Sequence, residues 1–89
     1  MTPRLRTSFC ELVGVETPIV QTGMGWVAGP SLVSASANAG ALGILASATM
    51  NFAQLRESIT EVKGSTDRPF GVNLRADSAD VGDRIRLLI

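Results

Sequence analysis

The 89-residue chain contains no histidine and only one cysteine. The missing histidine excludes a Ser-His-Asp or Cys-His nucleophile pair, and any histidine-based metal site, within these residues. Cys10 has no partner for an internal disulfide, and a single thiol cannot build a thiolate metal cluster. We therefore expect no metal site in the chain, a buried and unreactive Cys10, and a cytoplasmic location.

The chain also has no excess of positive or negative charge and no long apolar run. Eight basic and eight acidic side chains cancel, which argues against nucleic acid or a membrane surface as a partner. No apolar stretch approaches the ~20 residues that a membrane-spanning helix needs, and the first residues do not lead into a secretory signal. The 45% of apolar residues nevertheless indicates a chain that folds, and its length allows one small domain at most.

Short apolar runs alternate with helical patterns along the chain. A lead-in helix is predicted at 7–12, strands at 19–21, 42–46 and 70–74, and helices at 31–38, 52–63 and from about 78 onward. This β-α-β-α-β-α order is typical of parallel βα units. The run at 42–46 has no polar alternation, so it predicts a strand that is buried on both faces.

Two of the helices carry recognisable end signals. Asn51 and Gln54 form a capping-box pattern, and Gly64 is predicted to end the helix that they begin. The predicted apolar face of this helix consists of Phe52, Leu55, Ile59 and Val62. The last helix is predicted to be capped by Asp77 and Asp80 and to present an apolar face of Val81, Ile85 and Leu88, with Arg75, Arg84 and Arg86 solvated rather than reaching a phosphate group.

Three parallel strands leave an open sheet with a bare edge and two apolar faces to cover. A closed (β/α) barrel needs about 250 residues. We therefore expect the chain to be the amino-terminal part of a larger protein, with a small self-associating domain as the alternative.

A glycine-rich turn follows the first strand. The segment Gly23-Met24-Gly25-Trp26-Val27-Ala28 fits G-x-G-x-x-A, one form of the dinucleotide fingerprint. That fingerprint also needs a charged residue about 20 residues further on to hold the ribose, and no charged residue occurs between Glu16 and Arg56. The nicotinamide interpretation is therefore not favoured. The simplest alternative is a tight turn in which Met24 and Trp26 fill nearby space.

Asn73 changes that balance, because it is a polar amide near the carboxyl end of an otherwise apolar strand. Such an amide is costly to bury without a hydrogen bond. The carboxyl ends of the strands are where βα folds bind their ligands. Backbone N–H groups at 23–25 and the amide at 73 together suit the heteroaromatic edge of a planar cofactor.

The segments "PIVQTGMGWVAGPSLVSASANAGALGILA" and "RPFGVNLRAD" resemble the nitronate monooxygenase family of FMN-dependent (β/α)8-barrel enzymes. The form "QTGMGWVAG…ASATM…GVNLRADSAD" is most similar to an actinobacterial branch linked to steroid ring degradation. The resemblance implies an α/β fold in which residues 1–89 are the N-terminal three βα units of a single TIM-barrel domain, with the remainder of the barrel absent from this chain.

Site residues follow from the resemblance position by position. The family's FMN-contacting turn matches Thr22, Gly23, Met24 and Gly25, and its FMN-contacting asparagine matches Asn73. Many members read Met-Gly-Gly where this chain has Met24-Gly25-Trp26; Trp26 is therefore a candidate for the flavin face or the acyl pocket, with core filling as the alternative. The family's histidine and its phosphate-binding loops lie in later segments. The resemblance therefore implies no catalytic residue in this chain and places the histidine beyond Ile89.

The implied function is an FMN-dependent monooxygenase, or a hydroxylase of a small-molecule CoA thioester from steroid degradation, acting as a homo-oligomer. The isolated chain is then expected to retain little FMN and to show no turnover. Two alternatives stay open: a flavin-dependent enoyl-thioester reductase, and a non-catalytic structural or oligomerising fragment.

Overall fold

The computed structural model describes residues 6–89, in which helices and strands alternate. The elements are α1 (Ser8–Val13), β1 (Val20–Gln21), α2 (Pro30–Asn38), β2 (Leu42–Leu45), α3 (Phe52–Ser65), β3 (Phe70–Val72) and α4 (Val81–Leu88). After the lead-in helix α1, this is the predicted β-α-β-α-β-α order.

The strands form one parallel sheet in the order β1-β2-β3. Val20 pairs with Leu42, and Gly43 pairs with Phe70. The predicted α/β class with a parallel sheet is confirmed. Because all strands run the same way, their carboxyl ends and the loops that follow meet at one edge of the sheet.

The hydrophobic core lies between the sheet and the helices α2 and α3. Its fully packed members are Val33, Leu45, Leu55, Ile59 and Val62, so the predicted apolar face of α3 is confirmed, with Phe52 half-buried at its start. Helix α2 approaches β2 closely: a Cβ at Gly43 would lie 2.7 Å from the carbonyl oxygen of Val33. The small residues of α2 permit this close packing.

The opposite face of the sheet is only partly covered, which corrects the prediction that the run at 42–46 is buried on both faces. Gly43 and Leu45 are buried against the helices, whereas Leu42 and Ile44 are half-buried. Val20, which pairs with Leu42, is exposed. The alternation arises because residues 6–89 supply helices to one face of the sheet.

The boundaries of α3 and β3 differ slightly from the prediction. The capping box is confirmed, with both Asn51–Gln54 hydrogen bonds at 2.8 Å. Helix α3 continues one residue past Gly64, because the N–H of Thr66 still donates to the carbonyl of Val62. Strand β3 ends at Val72 rather than at residue 74; the N–H of Asn73 makes a last bond to Leu45 across the sheet.

Helix α4 is rotated relative to the prediction. It begins at Val81, and it turns Arg84 and Leu87 inward, while Ile85 and Leu88 are 45% and 38% exposed. The guanidinium of Arg84 binds two carbonyl groups of the loop after β2, and these bonds fix which side of the helix faces inward. The prediction of a solvated Arg84 is therefore wrong.

Cys10 is fully buried in α1, as predicted, and its sulfur lies 3.7 Å from the hydroxyl of Thr7. Within residues 6–89, no group of three or more His, Cys, Asp or Glu side chains is placed to hold a metal ion. No helix in the same range has the length and apolar character needed to cross a membrane.

Candidate functional site

The glycine-rich turn after β1 is fixed by its own backbone bonds and by one bond to the neighbouring loop. The carbonyl of Met24 accepts from the N–H groups of Val27 and Ala28, at 3.0 and 2.8 Å. The carbonyl of Ala28 in turn accepts from the N–H of Ala46, just after β2, at 3.0 Å. The turn is thus held at the carboxyl edge of the sheet, where Thr22, Met24 and Gly25 are exposed.

Three consecutive N–H groups of this turn are candidate donors to a ligand. Those of Gly23, Met24 and Gly25 donate to no backbone carbonyl within residues 6–89. Unpaired backbone N–H groups are strong donors that must find water or a ligand. The turn therefore carries three consecutive candidate donors at the carboxyl edge of the sheet.

Gly23 and Asn73 are brought together, although 50 positions separate them in the sequence. A Cβ at position 23 would lie 2.6 Å from the side-chain nitrogen of Asn73 and 3.1 Å from its Cγ. Real Cβ atoms essentially never show contacts under 3.0 Å, so any side chain at position 23 would force the Asn73 amide to move. The turn and the amide form one surface.

The amide of Asn73 is oriented by Ser47, a residue that the sequence analysis did not identify. The N–H of Ser47 donates to Asn73 Oδ1 at 2.7 Å, and the Ser47 hydroxyl donates to the Asn73 carbonyl. With Oδ1 engaged, the amide nitrogen is the end that remains near the turn. A hydroxyl residue two positions after a buried strand was the only sequence signal for this role, and it is a weak one.

Trp26 does not pack into the core that residues 6–89 form. Its side chain is 88% exposed, and its φ of +67° lies in the left-handed region. Glycine adopts that conformation without strain, whereas a bulky residue does not. The ring borders an open groove of ≈ 290 Å³ between the turn and α3, which Val27, Met50 and Glu57 also line.

Arg84 joins α4 to the loop between β2 and α3. The side chain donates to the carbonyls of Ser47 and Met50, at 2.9 and 2.7 Å, and to Asp80 Oδ2 at 3.0 Å. Only 8% of the residue is exposed. A buried guanidinium needs such partners because its desolvation is costly.

Asp80 is the acidic partner of Arg84, and its role differs from the predicted cap. It occupies the N-cap position of α4, but its side chain makes no cap bond. The Ser78 hydroxyl and then the Arg84 guanidinium donate to its carboxylate and hold the pKa of Asp80 below its ordinary value. Asp77, the other predicted cap, pairs instead with the exposed Arg75.

Known proteins match nearly the whole chain. The model of the family described as nitronate monooxygenase matches residues 6–87. The (3aS,4S,5R,7aS)-5-hydroxy-7a-methyl-1-oxo-octahydro-1H-indene-4-carboxyl-CoA dehydrogenase of Mycobacterium tuberculosis is 67% identical over 86 residues, which is 97% of this chain and 24% of that protein. A nitronate monooxygenase of Pseudomonas aeruginosa is 44% identical over 74% of this chain and 19% of its own.

Solved structures likewise match most of this chain and only a small part of the longer protein. FabK from Thermotoga maritima superposes with a TM-score of 0.88 and 39% identity, over 94% of this chain and 27% of FabK. A nitroalkane oxidase from Streptomyces ansochromogenes reaches 0.66 with 38% identity, over 76% of this chain and 19% of its own. The chain thus spans about a quarter of the length of the first curated relatives, and the predicted fold class, a segment of a (β/α)8 barrel, is confirmed.

Proposed function

The chain belongs to the nitronate monooxygenase family, as its motifs predict, and from this premise we propose that it supplies part of the flavin site of an FMN-dependent oxidoreductase. Residues 1–89 contribute the N-terminal three βα units of a single TIM-barrel domain. The coverage of about a quarter of the curated relatives supports this division.

The observation that carries the proposal is the contact between the glycine turn and Asn73. A Cβ at Gly23 would fill the space 2.6 Å from the Asn73 amide nitrogen, and the adjacent N–H groups have no backbone acceptor within residues 6–89. Donors of this kind match the oxygen and nitrogen atoms at the edge of an isoalloxazine ring. When bound, FMN supplies a two-electron redox centre; Thr22, Gly23, Met24, Gly25 and Asn73 hold and orient its ring.

The FMN phosphate and the proton-transfer group are assigned to other segments of the complete protein. The described site offers backbone donors and an amide, but the cation nearest to Ser47, Arg84, already has three partners. A cofactor held by half of its contacts binds weakly. We therefore expect the isolated chain to retain little FMN and to catalyse no turnover.

A CoA thioester with a fused-ring acyl group is the proposed substrate. The M. tuberculosis relative, 67% identical to this chain, is named for such a substrate and as a dehydrogenase. That name favours hydride removal over hydroxylation as the reaction. Trp26, exposed beside the groove along α3, is the candidate contact for the acyl group.

A second candidate is a flavin-dependent enoyl-thioester reductase, which the likeness to FabK at a TM-score of 0.88 favours. A third is a structural or oligomerising fragment, favoured by the sheet face that residues 6–89 leave partly uncovered. Homo-oligomerisation and a cytoplasmic location stay predictions from the sequence.

A chimera tests the proposal. The chain replaces the 86 matched residues of the M. tuberculosis relative, and we call this chimera the completed barrel. We expect near-stoichiometric FMN after desalting, and flavin reduction by a cyclic hydroxyacyl-CoA without incorporation of labelled oxygen. NADPH oxidation that depends on an enoyl-CoA would support the reductase instead. A folded but flavin-free chimera, beside a flavin-loaded parent, would contradict the proposed site.

A further inference from the structure

A chain of polar bonds connects α4 to the amide of Asn73 through the loop after β2. Arg84 donates to the carbonyl of Ser47 at 2.9 Å, and the N–H of Ser47 donates to Asn73 Oδ1 at 2.7 Å. Ser47 is itself only 1% exposed. The side-chain hydrogen bonds of Arg84 go to Asp80, Ser47 and Met50, none of which belongs to the glycine turn, so its link to Asn73 runs through Ser47.

The second carbonyl bond makes Arg84 a two-point clamp on this loop. It also donates to the carbonyl of Met50, at 2.7 Å, so the guanidinium spans the turn from Ser47 to Met50. The planar fork of arginine suits two such acceptors at once, whereas the single ammonium of a lysine does not. The Ser47–Met50 turn is also closed by its own backbone bond, from the N–H of Met50 to the carbonyl of Ser47 at 3.0 Å, and Arg84 adds a charged donor to both carbonyls.

The cost of burying the guanidinium indicates a specific role. Arg84 is 8% exposed in a helix whose apolar residues Ile85 and Leu88 are 45% and 38% exposed. Packing alone would turn those apolar side chains inward. The helix instead orients the cation toward the loop, with Asp80 as its counter-charge at 3.0 Å.

We propose that Arg84 is a positioning residue for the flavin site: by clamping the Ser47–Met50 loop, it fixes the Ser47 N–H that orients the amide of Asn73. This inference rests on the proposed function, because it assigns the oriented amide to FMN. Loss of the clamp lets the loop shift and the amide rotate, so the site no longer presents a fixed donor to the cofactor.

The test compares Arg84→Met with Arg86→Met in the completed barrel. Arg86 is on the same helix, is exposed, and pairs with Asp83, so it controls for the loss of a cation from α4. We expect Arg84→Met to raise the Kd for FMN roughly tenfold, the lower end of the effect of removing an orienting partner at a metal ligand. Arg86→Met should leave the Kd within about twofold of the parent.

A cofactor-free readout separates positioning from general stability. In the apo protein, the amide of Ser47 should exchange with deuterium faster in Arg84→Met than in the parent, while amides of the α2–α3 core keep their rates. Uniformly faster exchange in both regions would show a merely structural role and overturn the proposal. An unchanged Kd for FMN in folded Arg84→Met would also overturn it.

Arg84→Lys keeps the test decisive if the methionine variant does not fold. Lysine retains the charge near Asp80 but loses the two-carbonyl fork, so we expect an intermediate Kd and partly faster exchange at Ser47. Parent-like values for both would contradict the clamp. If the parent chimera itself binds no FMN, the proposed function fails and this inference fails with it; unchanged Ser47 exchange in the variants would instead refute the clamp alone.

Discussion

The helix-covered side of the sheet and its carboxyl edge are built on different principles. On the covered side, Leu45 and Leu55 are fully buried among apolar neighbours. At the carboxyl edge, backbone donors and a few polar side chains, such as Ser47 and Asn73, set the geometry. The first region therefore governs whether the chain folds, and the second governs what the folded chain can bind.

The largest expected effect lies in the covered core. Leu55→Ala removes a fully buried side chain and should lower the free energy of unfolding by about 3 kcal/mol, measured by urea denaturation of the completed barrel. Leu12→Ala is the control, because Leu12 is 83% exposed. The folded fraction of Leu55→Ala should bind FMN with an unchanged Kd. A tenfold higher Kd without loss of stability would show that the two regions do not have these separate roles.

The next effect concerns the carboxyl edge. Gly23→Ala places a methyl group 2.6 Å from the Asn73 amide nitrogen and should raise the Kd for FMN at least tenfold, about 1.4 kcal/mol, in a fluorescence titration. Gly29→Ala is a matched control in the same loop, since a Cβ there meets nothing within 4 Å. Equal affinities for the two variants would show that the approach of Gly23 to Asn73 does not serve FMN.

A smaller effect is expected at Trp26, where strain and function are separable. Trp26→Asn introduces a residue that tolerates the left-handed conformation and should raise the free energy of unfolding by about 1 kcal/mol. Trp26→Ala keeps the backbone strain and should not raise the free energy of unfolding. Both variants should raise KM for the proposed acyl-CoA substrate, because both remove the exposed ring. An unchanged KM in steady-state assays would remove Trp26 from the substrate site.

The smallest effect is a pH dependence at Asp80. Its pKa lies below the ordinary value of 3.8, first because of the Ser78 hydroxyl and then because of Arg84. The ionised carboxylate therefore stabilises the fold above that ordinary value, and its contribution is lost as the pH falls through the lower folded-state pKa. The difference in Tm between the parent and Asp80→Asn should shrink on acidification from pH 7 to 3. Asp83→Asn is a control on the same helix. If its difference in Tm from the parent shrank on acidification as much as that of Asp80→Asn, the assignment of the effect to Asp80 would be contradicted.

Local patterns were sufficient to predict most of the fold. The apolar runs and the Asn51–Gln54 capping box specify β2 and α3 through neighbouring residues alone, and both elements are observed. The orientation of α4 could not be predicted this way, because its apolar spacing conflicts with the bonds of Arg84 to a loop 34–37 residues earlier in the chain.

The candidate site shows the same limit. Gly23 and Asn73 could be placed at one edge from strand direction alone, and the structure brings them into contact. Ser47 and Arg84 could not be assigned, because nothing local distinguishes a serine that orients an amide from any other serine. Their roles depend on long-range bonds that appear only once the sheet and α4 are assembled.

A crystal structure of the completed barrel with FMN bound would test the proposed flavin site directly. We expect the isoalloxazine edge to lie within about 3 Å, hydrogen-bonding distance, of the N–H groups at 23–25 and of the Asn73 amide. A flavin ring bound elsewhere in the barrel, with the Gly23–Asn73 surface facing water or another segment of protein, would contradict it.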